Sequence, residues 1–172
     1  MQNLKNVRAL IVLLSWTATS LQAQSRLPAG SQAAVFKMTS QIADTDSSLP
    51  IKHYSLSQRI ALLKQLYQSD QRYRDSLENG SRSTAKQQLF SHKMVANDQV
   101  NQVLLGKVVE TFGWPTQHEY GEQGPQTAWL IVWHARPDYQ KRYYPLIKRA
   151  YQQGFIKQSP TQLAKRLTHF SK

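Results

Sequence analysis

Residues 55–80 read SLSQRIALLKQLYQSDQRYRDSLENG, and this stretch decides the fold class. Ser55 with Gln58 three residues later forms a capping box, in which each side chain satisfies a backbone N–H of the first turn. Gly80 stands where such a helix stops. Leu62, Leu66, Tyr73 and Leu77 recur at four- and seven-residue steps and draw one apolar stripe. The same spacing puts Asp70 in the middle of that stripe, with Arg74 one turn further on as an i, i+4 partner. A carboxylate on a core-facing strip is costly unless it is paired.

Outward from this helix the pattern repeats. Residues 83–112 carry a second stripe, Phe90, Met94, Asn97, Asn101, Leu104, Val108 and Phe112, flanked by Asp98. Polar groups again sit in the middle of an apolar strip. Gly113, Trp114 and Pro115 form the structural turn that ends it: glycine for a left-handed residue, tryptophan to pack back, proline to block continuation. A loop containing Gly121 and Gly124 leads to the apolar run Ala128–Trp133 before His134. With no strand partner of similar length elsewhere, that run reads as a helix. Pro137 opens a further helix, which Pro145 is expected to kink or divide. Ser159-Pro160 opens a last short one. The expected fold class is all-α: a single small bundle-like domain of four to five helices.

The N-terminus reads differently. Lys5 and Arg8, the apolar run Ala9–Trp16 and the exit Ser20-Leu21-Gln22-Ala23 have the layout of a secretory signal peptide. The run is too short for the roughly 20 residues that a membrane span needs. The expected organisation is a signal peptide over 1–23, a Ser/Gln-rich flexible leader over 24–53, and a helical domain over 54–171, exported to the periplasm or beyond. Cysteine is absent, so disulfides, thiolate metal sites, a thiol nucleophile and a lipoprotein anchor are excluded. The 22 basic residues outnumber the 10 acidic ones, and from Tyr139 to Lys172 there is no Asp or Glu at all. Such a block attracts anionic surfaces. For an exported chain these are envelope phospholipid, lipopolysaccharide or wall polymer rather than nucleic acid. Tyr139, Tyr143, Tyr144, Tyr151 and Phe155 interleave with the basic residues, as a ligand-stacking face or as a core stripe.

Several short patterns, taken in order, resemble a bacterial family defined only as a domain of unknown function, family 6624. Asp70-Gln71-Arg72-Tyr73-Arg74 looks like its acidic-Gln-x-x-Arg element, and Asp98-Gln99-Val100-Asn101 like its Asp-x-x-Asn element. Gly113-Trp114-Pro115-Thr116, Gly121, the run to His134-Ala135 and then Gln140 follow in that family's order. The resemblance spans Arg59 to Leu167 and implies an uncharacterised exported protein with these domain limits. It implies no reaction. The last helix departs from the pattern, with Lys165-Arg166 where the family carries Asp-Arg.

Asp70, Asp98 and His134 are the candidate catalytic residues, and Gln71, Arg74, Asn101 and Gln140 a candidate binding network around them. Helical bundles do build sites from inward-pointing carboxylates and histidines. Two functions compete, the first as the leading reading and the second as its alternative. In one, the protein is a non-enzymatic envelope or binding module that uses its basic C-terminal third. In the other, it is a hydrolase-like enzyme working through the Asp/Asp/His cluster, with metal assistance as an open question. Arg74 beside Asp70 weighs against a metal, whose charge it would oppose, and no cofactor is expected. The remaining histidines, His53, His92, His118 and His169, read as surface residues.

Overall fold

The computed structural model describes residues 42–80 and 83–169. The signal peptide and most of the leader lie outside the described residues. A 3-10 turn, Ile51–His53, precedes six helices: α1 (Leu56–Asn79), α2 (Thr84–Phe112), α3 (Gln117–Tyr120), α4 (Gln123–His134), α5 (Pro137–Gln152) and α6 (Thr161–His169). No strand occurs among the described residues, so the class is all-α as expected; the helix count exceeds the expectation by the four-residue α3.

Local chemistry fixes the start of α1 and the end of α2. The capping box of α1 is complete: Gln58 N donates to Ser55 Oγ at 3.3 Å, and Ser55 N donates to Gln58 Oε1 at 2.8 Å. Beyond α2, Gly113 adopts φ +86°, a conformation that disfavours any side chain, and its N–H closes on Val109 O at 3.0 Å. Pro115 is buried behind it, and Trp114 packs against the core.

α1 packs on α2 and α4, and α5 and α6 close the far side. The core is built from Leu62, Leu63 and Leu66 of α1, Val100, Leu104 and Val108 of α2, and Ile131 and Val132 of α4. Tyr143 and Ile147 from α5 and Leu163 from α6 complete it.

Three local expectations change. α4 begins at Gln123 rather than at Ala128, because Gly124 belongs to its first turn. A Cβ on Gly124 would stand 2.3 Å from Tyr120 Cβ, so this glycine permits close packing instead of a loop. α5 runs through Pro145 as one helix. Pro145 and Lys141 are both exposed, so the carbonyl that proline leaves without a donor can bond to water. Finally, the packed chain begins before Tyr54. Ile51 is 1% exposed in the core, Thr45 is buried and bonded by Gln65 Nε2 at 3.1 Å, and Lys107 Nζ donates to the carbonyls of Ser47 and Leu49. The Ser/Gln-rich composition of 24–53 suggested a flexible leader, whereas specific long-range hydrogen bonds fasten this part of it.

Candidate functional site

Asp70 lies on the buried face of α1 and His134 is the last residue of α4. Packing of these two helices brings His134 Nδ1 to 3.0 Å from Asp70 Oδ1 and 3.1 Å from Oδ2. Gln71 Nε2 donates to Asp70 Oδ2 at 2.5 Å. Asp98, on α2, faces the pair through Arg74, whose Nη2 lies 2.5 Å from Asp98 Oδ1 and 3.6 Å from Asp70 Oδ1. Arg74 Nη1 also donates to Met94 Sδ at 3.2 Å. The three candidate catalytic residues therefore converge, with a guanidinium between the two carboxylates.

Burial works to raise the Asp70 pKa, but the charge and hydrogen bond of His134, followed by Arg74 and Gln71, draw it down to about 2. An ionised carboxylate only accepts hydrogen bonds, so the contact requires His134 to carry its proton on Nδ1. Asp98 moves the other way. Its burial outweighs the pull of Arg74, and the neighbouring Asp70 charge adds to the rise. Burial acts to lower the Arg74 pKa, yet the two carboxylates more than compensate and hold it above its ordinary value.

The rest of the predicted network sits around this centre in fastening positions. Asn101 donates to Leu66 O at 3.2 Å and accepts from Ser69 Oγ at 2.9 Å, which ties α2 to α1. Gln140 is fully buried, and its Nε2 donates to Trp133 O at 2.9 Å. Asn97 fastens the N-terminal segment: Asp44 N donates to its Oδ1 at 2.8 Å, while its Nδ2 donates to Asp44 Oδ2 at 3.1 Å and Ser69 O at 3.2 Å. The stripe pattern already flagged Asn97, but nothing in the local sequence pointed to Asp44 as its partner. Arg166 was not singled out either. Its Nη1 donates to Trp133 O at 3.0 Å, and its guanidinium lies 4.6 Å from the Trp133 ring centroid.

Among the described residues no three His, Asp or Glu side chains converge as a group that could hold a metal ion. Arg74 occupies the space between the two carboxylates that a cation would need. His53, His92, His118 and His169 are exposed. Of the aromatic series, Tyr143 is buried and Tyr139 bonds Gln102 O at 2.9 Å, while Tyr144 and Phe155 pack against the core. Tyr151 alone of the five is exposed. The core-stripe reading thus accounts for most of the series. No family model, curated protein or solved structure matches the chain.

Proposed function

We propose that the protein is a hydrolase-like enzyme in which His134 acts as general base and acid, positioned by Asp70. The observation that carries this reading is the contact of His134 Nδ1 with both Asp70 oxygens, at 3.0 and 3.1 Å, on a ring that is 13% exposed. With Nδ1 committed to the carboxylate, Nε2 is the nitrogen left to take a proton from water and return it to a leaving group. Asp70 then stabilises the imidazolium that forms, as the buried carboxylate does in acyl-transfer triads. The chain has no cysteine to serve as a thiol nucleophile, and in this reading the nucleophile is water. Arg74 is a positioning residue: it holds Asp70 in place and neutralises Asp98.

The test is a panel of chromogenic carboxylic ester, amide and phosphate ester substrates, with wild type, His134→Ala and Asp70→Asn compared at matched fold. The expected result is turnover on one class that falls by roughly 10²–10⁴-fold in His134→Ala. Wild-type rates equal to those of His134→Ala across the panel would sink the reading.

A second reading has its own observation. Lys141, Lys148 and Arg149 are exposed on the outer side of α5, whose inner side carries Gln140, Tyr143 and Ile147. Such a face supports salt-sensitive attachment to an anionic envelope surface, measured by co-sedimentation with anionic vesicles at low and high salt. Export belongs to the same proposal and rests on residues 1–23. N-terminal sequencing of protein recovered outside the cytoplasm tests it.

A further inference from the structure

Arg166 and Arg74 are both half-buried or more, but their surroundings differ. Arg74 faces two carboxylates, whereas no carboxylate among the described residues pairs with Arg166. Burial pushes the Arg166 pKa down, with no acidic neighbour pulling it back. One face of its guanidinium rests on the Trp133 indole, and one N–H goes to Trp133 O. That carbonyl is joined covalently to the nitrogen of His134. Gln140 donates to the same carbonyl, and its own Oε1 is buried without a partner. The two side chains therefore flank one peptide unit beside the base.

Trp133 O accepts from both Gln140 and Arg166, and this capping contact uses only one of the five N–H donors of Arg166. A guanidinium that is partly desolvated and seated over an indole ring can match the two oxygens of an oxyanion through parallel hydrogen bonds.

We propose that Arg166 forms an oxyanion subsite beside His134 that takes a carboxylate or phosphate group. Assigning that anion to the substrate rests on the acid/base reading of His134; the binding site itself rests on Arg166. The experiment is a titration of ¹⁵N-labelled protein with sodium phosphate and, separately, sodium acetate, against sodium chloride at matched ionic strength. The side-chain N–H signals of Arg166 and Trp133 are followed. Saturable shifts beyond those in chloride are expected, lost in Arg166→Gln and retained in Arg142→Gln, an exposed control, with folding of each variant checked from its amide spectrum. Arg166→Lys keeps the charge without the fork and is expected to bind about tenfold more weakly. Response to phosphate alone assigns a phosphoryl group, response to acetate alone a carboxylate, and response to both a general oxyanion site. Shifts no larger than in chloride, or shifts that survive Arg166→Gln, overturn the proposal. His134→Ala separates the two readings. Anion binding without any His134-dependent turnover defeats the acid/base reading alone, while His134-dependent turnover without anion binding defeats the subsite alone.

Discussion

Arg74 sits closer to Asp98 on the neighbouring helix than to Asp70 one turn back on its own: 2.5 Å against 3.6 Å. The guanidinium thus works chiefly across helices and joins two buried carboxylates that would otherwise repel each other. Removing it leaves both without their shared counter-charge. Arg74→Met is expected to cost roughly 3–5 kcal/mol, the range for breaking a buried ion pair by deleting one partner. Adding Asp98→Asn should recover part of that loss, because one of the stranded charges then disappears. Urea unfolding of the two single variants and the double variant checks both statements. A double variant less stable than Arg74→Met would contradict them.

The two aspartates contribute to stability with opposite pH dependence. Asp70 has a folded-state pKa of about 2, below the roughly 3.9 of an unfolded aspartate. Its contribution is therefore present above about pH 4 and lost as pH falls through about 2. Asp98 has a raised pKa, so its contribution is present at low pH and lost as pH rises through that raised value. Asp70→Asn is expected to cost on the order of 2 kcal/mol at pH 7, with the difference from wild type closing toward pH 2. Asp98→Asn should cost less at pH 7. A difference that does not change with pH would show that the Asp70 charge contributes nothing.

The N-terminal segment is fastened through Asn97, which bonds both the backbone and the carboxylate of Asp44 as well as Ser69 O. Asn97→Ala leaves buried polar groups without partners and is expected to cost about 1–3 kcal/mol. Amide exchange at Asp44 and Thr45 should accelerate more than exchange in α1. Uniform acceleration would mean that the segment is not a separate opening unit.

His134 is expected to be the reverse of Arg74: large in activity, small in stability. Its side chain is 13% exposed at a helix end, so His134→Gln should shift the unfolding free energy by less than Arg74→Met does while abolishing any turnover found in the substrate panel. Stability losses of equal size in the two variants would recast the histidine as a structural member of the network.

Much of this centre was legible along the chain. Asp70, Asn97 and Asn101 announced themselves as polar residues on stripes of Leu, Val and Met, and the i, i+4 spacing brought Arg74 to Asp70. The cross-helix choice of Arg74 for Asp98 was not legible, since periodicity fixes the face of a helix but not its neighbour. The same limit hid the Asp44–Asn97 pair, 53 positions apart, and the Arg166–Trp133 contact, 33 apart. Gly124 misled because glycine signals a loop as readily as a tight helix contact; only the position of Tyr120 decides between them.

The most direct test of the Asp70–His134 pair is the tautomer of the His134 ring, read from long-range ¹H–¹⁵N correlations in wild type and in Asp70→Asn. The predicted result, read on the singly protonated form of the ring, is a proton on Nδ1 in the wild type, with that preference lost or reversed when the carboxylate becomes an amide. A wild-type ring protonated on Nε2, or a tautomer unaffected by Asp70→Asn, would contradict the assignment of Nε2 as the working base.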